Sequence, residues 1–222
     1  VFVDIFNAYG TQALRPLSKK WIALGVINTF DPYIFGFHCI GIMLWAFGTD
    51  PVWTFGIMYV IIICYYILRF MVQKAVKHAV HSTIQDEEYV IVAPTIRFFY
   101  WRVAAASKTH YYVGRAYRRS VNIYDKFEIV PLPRTPHVHA AMQDANLQSF
   151  VSFSPLYRWE ISELPSGLTE LRLIDLRYRS NNRYPFVAVA HVNDDLQVVN
   201  SYTGWIFSED KLQQKLQIGA SD

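Results

Sequence analysis

An aspartate inside the apolar opening run VFVDIFNA is the residue that most needs a chemical explanation. A carboxylate in a helix beside a membrane is costly unless it is paired, solvated or bound to a cation. Metal ligands on one helix converge at i and i+4. Four residues after Asp4 comes Ala8, and four before it is the position just ahead of Val1. Asp4 is therefore either one ligand of a site whose partner precedes Val1 or an N-proximal polar contact. The chain starts on Val1 rather than on a methionine, which leads us to expect a fragment. His78 and His81 stand i, i+3 apart and could hold a metal, but no third ligand is near them and interfacial polar roles account for them. His137 and His139 would share a face if extended. Pro131, Pro133 and Pro136 around them predict a solvated loop. Asp175, Arg177 and Arg179 alternate as on one strand face, which a surface charge pair explains. Tyr111, Tyr112 and Tyr117 interleave with Arg115, Arg118 and Arg119, a mixture able to stack on nucleic acid or to sit on an anionic leaflet. The leaflet reading is preferred because the preceding helices bring this segment to a membrane. Cys39 and Cys64 lie in apolar surroundings with no Cys-x-x-Cys motif, and they read as core or lipid-facing thiols.

The elements that must position these groups fall into three zones. The 222 residues are 52% hydrophobic, with a mean hydropathy of +0.12, and the apolar residues concentrate near 30–73. The net charge of +3 is too small to argue for nucleic acid. No signal peptide is visible. In residues 1–30 the first eight read as a helix end with Gly10 as its stop, followed by a basic connection through Arg15, Lys19 and Lys20. Asp31-Pro32 and Asp50-Pro51 then repeat one signal, an acidic cap followed by proline at the first helical position. Each opens an apolar run. The second, 52–68, has 17 residues without a charge, enough for roughly 26 Å of helix. Arg69 can snorkel, extending this span to about residue 72. The first run is shorter, and Gly36, Gly41 and His38 suit a helix packed on other helices. Both flanks of this helical hairpin are basic and the Gly48-Thr49-Asp50 turn is not, so both ends are expected in the cytoplasm.

From about residue 85 the pattern turns to alternation. Strands are predicted at 89–93, 96–105, 109–118, 122–130, 150–153, 157–163, 169–179, 186–192 and 196–202, with turn-forming residues at 107–109, 165–167, 180–182 and 193–195. Short connections favour antiparallel pairing. Helices are predicted at about 139–148 and at 209–216. The fold class is thus α + β: N-terminal membrane helices, with spans at about 32–48 and 51–72 in a part covering 1–84, then a mostly antiparallel β-rich cytoplasmic domain over 85–222.

The stretch Asp4-Ile5-Phe6-Asn7-Ala8-Tyr9-Gly10-Thr11, then Arg15-Pro16-Leu17-Ser18, then Phe30-Asp31-Pro32, resembles the YdjM-like family of bacterial inner-membrane metal-dependent hydrolases. That family carries a His-x-x-x-Asp helix, a Tyr-Gly-Thr turn, a Pro-Phe-Ser element and an Asp-Pro before a membrane helix. The resemblance places the family's aspartate on Asp4 and its histidine one position before Val1. The turn falls on Tyr9, Gly10 and Thr11, and the serine on Ser18, with Leu17 in place of Phe. It covers about the first third of the chain. The β-rich part, including Asp175-Leu176-Arg177-Tyr178, resembles the tail of Bacillus-type members.

The resemblance implies a divalent metal, zinc, whose bound water would ionise near pH ~7 and supply a hydroxide. By looser analogy with zinc-dependent phospholipases C it implies a phosphoester substrate. Thr11 and Ser18 could then bond a substrate oxygen, and Arg15 could pair with a phosphate. Plainer roles are open to each: a turn hydroxyl, a helix cap and a headgroup anchor. Function is accordingly read as a membrane-bound metal-dependent hydrolase that here lacks its N-terminal ligands and binds metal weakly or not at all. The alternative is a membrane-anchored interaction or regulatory module without catalysis. The implied partners are the lipid bilayer of a bacterial inner membrane, crossed more than once, and anionic headgroups. Nucleic acid is not expected.

Overall fold

The computed structural model describes residues 3–18 and 20–219. Val1, Phe2 and Lys19, on which parts of the helix-end and flank-charge readings fall, lie outside the described residues. The chain divides into two compact units: the residues up to Ser107 together with Gly114–Asp125, and Lys108–Val113 together with the residues from Lys126 on.

The first unit opens with a 3-10 turn, Val3–Phe6, rather than the end of an α-helix. Two helices follow, α1 (Pro32–Ala46) and α2 (Pro51–Thr83), and both start as the Asp-Pro signals predict. The Asp31 carboxylate accepts from the Tyr33 and Ile34 amides, and the Asp50 carboxylate from the Trp53 amide. Each bond satisfies a first-turn donor that has no partner within the helix. Gly41 marks a close approach: a Cβ there would lie 2.8 Å from the Met58 sulfur. The other glycine read as a packing position, Gly36, has open space around it.

Helix α2 runs on past the predicted span to Thr83, so its 33 residues extend about 50 Å. It is the one helix among the described residues long and apolar enough to cross a membrane. Its inward stripe is Met58, Ile62, Tyr65, Arg69, Gln73, Val76 and Val80, at helical spacing. Its outward face carries exposed Val60, Ile63, Ile67 and Met71. Arg69 and Gln73 are buried among apolar residues of the inward stripe while large apolar side chains lie exposed outside, unlike a soluble amphipathic helix. Arg69 is thereby corrected: it does not snorkel toward water but is 1% exposed. Cys39 and Cys64 are both on the exposed side.

The β-rich part is two four-stranded sheets, not one continuous array. The first holds β1 (Glu87–Pro94), β2 (Tyr100–Ser107), β3 (His110–Tyr117) and β4 (Ser120–Glu128) in chain order. Residues 96–99, expected as strand, form a turn before β2. The second sheet, in the second unit, holds β5 (Tyr157–Glu163), β6 (Thr169–Asp175), β7 (Phe186–Val192) and β8 (Val198–Trp205), again consecutive and antiparallel. Alternation sends Leu171, Leu173, Ala188 and Ala190 to one face, under α3 (Pro136–Met142) and α4 (Ala145–Phe153). It sends Ile174, Val187 and Val189 to the other, under α5 (Glu209–Gly219).

Two further expectations fail here, and both for local reasons. The segment 150–153 is not a strand but the last turn of α4, because Asp144 caps the Asn146 and Leu147 amides and sets a helical period that buries Leu147 and Phe150. His137 and His139 lie on α3, not in a loop. The Thr135 side chain accepts from the Val138 amide and Pro136 opens the helix, the same capping logic that starts α1 and α2.

Candidate functional site

The N-terminal strap is built around Asn7. Its buried side-chain carbonyl accepts from the Tyr9 amide at 2.9 Å and the Gly10 amide at 2.8 Å, which turns the chain. Gly10 has φ +73°, and a Cβ there would lie 2.3 Å from the Ile22 carbonyl oxygen, so only glycine fits. Beyond the turn, Thr11 and Ile22 exchange backbone hydrogen bonds of 3.0 and 2.9 Å. The returning segment donates from Leu24 to Ile5, from Gly25 to Asn7 and from Val26 to Phe6. Phe6 then packs edge-on against Tyr66 and Phe70 of α2.

Helix α2 grips this loop with polar side chains. The Gln73 amide donates to the Leu24 and Gly25 carbonyls at 2.7 and 2.8 Å. The Arg69 guanidinium donates from Nε to Val26 at 2.9 Å and from Nη1 to Phe98 at 2.6 Å, with its face 4.3 Å from the Trp101 ring centroid. The Tyr65 hydroxyl donates to the second oxygen of Asp31 at 2.9 Å, so one carboxylate serves both a helix cap and a helix-to-helix bond. Tyr65, Arg69 and Gln73 follow at i, i+4, i+8. That spacing was the available sign that the three share one inward face.

Of the residues singled out by resemblance, Asp4 is exposed, Thr11 is half-buried in its bridge to Ile22, and Arg15 is exposed with no ion pair among the described residues. Ser18 is half-buried and its hydroxyl accepts from the Lys20 amide at 3.2 Å, a local turn contact. Among the described residues no group of three His, Cys, Asp or Glu side chains stands close enough to hold a metal. A zinc site takes three or four protein ligands, and Asp4 offers one, so the described residues alone do not fit a complete centre. His81 pairs with Glu87 at 2.8 Å instead.

The second unit holds two ionic networks that alternation alone did not reveal. Asp175 is not part of a surface pair: it is fully buried, and β6 ends on it. It accepts from the Ser154 hydroxyl at 2.6 Å and from the Arg177 backbone and guanidinium, and Arg177 also donates to the Phe153 carbonyl. Arg179, read as the third member, bonds Asn182. In the other network His191 meets Glu170 at 2.9 Å, and Arg172 bridges Glu170 to Glu209. Arg172 also lines a cleft of about 470 Å³ with Arg158, Arg183, Tyr184 and Ser208.

Burial pushes the Glu170 carboxyl up, but hydrogen bonds from His191 and Arg172 and the Arg172 charge outweigh it and hold the group below its ordinary value. The hydrogen bond from Arg172 likewise lowers Glu209. A carboxylate depressed in the folded state contributes fully above its unfolded pKa, ~4.3, and its contribution drains as pH falls through the lower folded value. Stability is therefore expected to fall steeply on acidification below about pH 4.3, and Glu170→Gln should flatten that limb. Urea unfolding of both chains across this range reads it out, and parallel acid limbs would contradict the assignment.

The fold and site can now be set beside known proteins. Residues 1–76 match the family described as YdjM inner membrane protein, 85–127 the YfhP middle domain, and 136–216 the YfhP C-terminal alpha/beta plait domain. A protein of Bacillus subtilis (strain 168), carried under the name Uncharacterized protein YfhP, is 52% identical over 221 residues, covering 99% of this chain and 67% of that relative. No solved structure matches.

Proposed function

The chain belongs to the YfhP family, with an N-terminal part of the YdjM inner-membrane type, and from that premise we propose that it is a membrane-bound metal-dependent hydrolase. In this reading α1 and α2 enter the bacterial inner membrane as a hairpin, although α1 has only 15 residues. Arg15 and Lys20 before the hairpin and Lys74 and Lys77 along α2 keep both ends in the cytoplasm. The membrane-embedded part then covers 1–84, and the β-rich part, 85–222, is cytoplasmic.

One observation carries the proposal. Buried polar groups on a membrane helix are expensive, yet α2 commits Arg69 and Gln73 to three consecutive backbone carbonyls, Leu24, Gly25 and Val26. Those residues hold the strap on which Asp4 is exposed. Rigid support beneath an exposed carboxylate is what a preorganised site requires. Asp4 is one ligand of a divalent-ion site, with zinc the favoured ion, and residues outside those described complete it. Thr11 and Ser18 offer hydroxyls to a substrate oxygen, and Arg15 offers a guanidinium to a phosphoester.

Asp4→Asn in the full-length protein tests this. Calorimetric zinc titration is expected to show tight binding by the unsubstituted protein and a loss of at least tenfold in the variant, with unfolding unchanged. A full-length protein that is metal-free and indifferent to chelators overturns it. A second reading, an anchored interaction or regulatory module without catalysis, is favoured by the arginine-lined cleft of the second unit. A phenotype that survives Asp4→Asn but vanishes on removal of 136–216 would support that module.

A further inference from the structure

Resting on the reading that α1 and α2 lie in a bilayer, we propose that the turn at 95–99 and the end of β3 form a binding site for the phosphodiester headgroup of an anionic phospholipid. Arg97, Arg115 and Arg118 hold the headgroup over an aromatic floor.

The Tyr100 ring lies under two guanidiniums, Arg97 at 5.6 Å and Arg115 at 5.9 Å, and packs on Tyr117 at 4.8 Å. Arg118 lies over Phe99 at 5.0 Å and over Tyr117 at 5.5 Å. A backbone bond from Arg118 to Phe99, 3.0 Å, ties the two segments together. All three arginines are exposed, and among the described residues none has a carboxylate partner. The three guanidiniums lie over ring faces and are exposed, and a guanidinium carries paired N–H donors along its edges. Those edges match phosphate oxygens in pairs. Three like charges gathered without an acid are relieved by an anion.

The position of this face selects lipid as the source of that anion. The Phe98 carbonyl accepts from Arg69 of α2, and the Phe98 ring meets Tyr33 of α1 and Tyr65 of α2. A hollow of about 600 Å³ opens between Pro32, Tyr33, Phe98, Phe99 and Tyr117. Along α2 the next charge after Arg69 is Lys74, which is exposed and lies roughly 7.5 Å further along the helix. The turn is thus clamped to α2 where the apolar face gives way to charge. Ile96 and Phe99 are exposed at 59% and 42%, apolar tips suited to the acyl boundary beside their arginines. A choline headgroup would bring a cation into the cluster, so phosphatidylglycerol is preferred over phosphatidylcholine.

The full chain in non-ionic detergent, titrated with short-chain phosphatidylglycerol or phosphatidylcholine and followed by native mass spectrometry, tests this. Phosphatidylglycerol is expected to be retained preferentially, with a preference that falls with added salt. Each arginine removed should weaken it about fivefold, so Arg97→Gln/Arg115→Gln/Arg118→Gln should lose roughly a hundredfold while phosphatidylcholine binding stays put. Equal retention of both lipids, a preference insensitive to salt, or equal displacement by inorganic phosphate would overturn the proposal. The salt arm needs no variant. A chain that stays dispersed without detergent would instead remove the bilayer reading on which this rests.

Discussion

Arg69→Ala is expected to cost about 3–5 kcal/mol of stability, more than any other substitution along α2. A buried carbonyl, Val26, and a partly buried one, Phe98, lose a charged donor at once, and a buried orphan costs about 1–3 kcal/mol. The cation also leaves the Trp101 face, worth up to about 2 kcal/mol when desolvated, and truncation leaves a cavity. Relief from burying a charge returns part of this. Arg69→Lys keeps the charge, but one ammonium cannot reproduce the planar fork that reaches both carbonyls, so it should lose roughly half as much. Chemical unfolding of the detergent-solubilised chain measures both, and protease sensitivity of 20–31 reports where the damage lies. A loss below about 1 kcal/mol for Arg69→Ala would show that water or another donor replaces the guanidinium.

Asp175→Ala is expected to do comparable damage in the second unit, about 3–5 kcal/mol. Asp175 is fully buried, and its removal strands the Ser154 hydroxyl, also fully buried, and the Arg177 guanidinium. Arg177 would keep the Phe153 carbonyl and its contacts with the Phe153 and Tyr178 rings, but it would lose the buried Asp175 carboxylate. Most of the penalty is expected from separating the buried Arg177 charge from Asp175 rather than from the lost bonds alone. That distinction is measurable. Asp175→Ala/Arg177→Met should be more stable than Asp175→Ala alone, because removing the second charge removes the reason for the loss. Strict additivity of the two substitutions in denaturant unfolding would contradict it.

The pattern of what could be read in advance follows from range of interaction. Asp31-Pro32 and Asp50-Pro51 announce helices because a cap acts within three residues, and both helices start there. Strands β5 and β7 were legible at their full extent because β5 alternates polar and apolar residues and β7 is a short β-branched-rich apolar run bounded by turn residues. Residues 150–153, Phe-Val-Ser-Phe, misled because four residues are too few to tell a strand period from a helical one. The sign that corrects them, Asp144 at a cap position, is also local and was there to be used. The YdjM resemblance of the first third, carried by short motifs in order, agrees with the family match over 1–76.

Arg69 and Asp175 are the opposite case. Val26 is 43 residues from Arg69, and Phe98 is 29 away. The spacing of Tyr65, Arg69 and Gln73 puts the three on one helix face, but those distant carbonyls decide that this face points inward. Asp175 looked like one beat of an alternating surface pattern until the chain turned and Ser154, 21 residues back, closed on it.

By itself the amino-acid sequence determined that α1 and α2 start at the Asp-Pro pairs, where β5 and β7 lie, that an apolar hairpin precedes a β-rich part, and that an acid stands at position 4. Those properties rest on caps, periods and composition, which act over a few bonds. Only the tertiary structure decided which charges are buried and what they hold. The cost of hiding a charge is met by partners from distant segments, and folding alone brings those together.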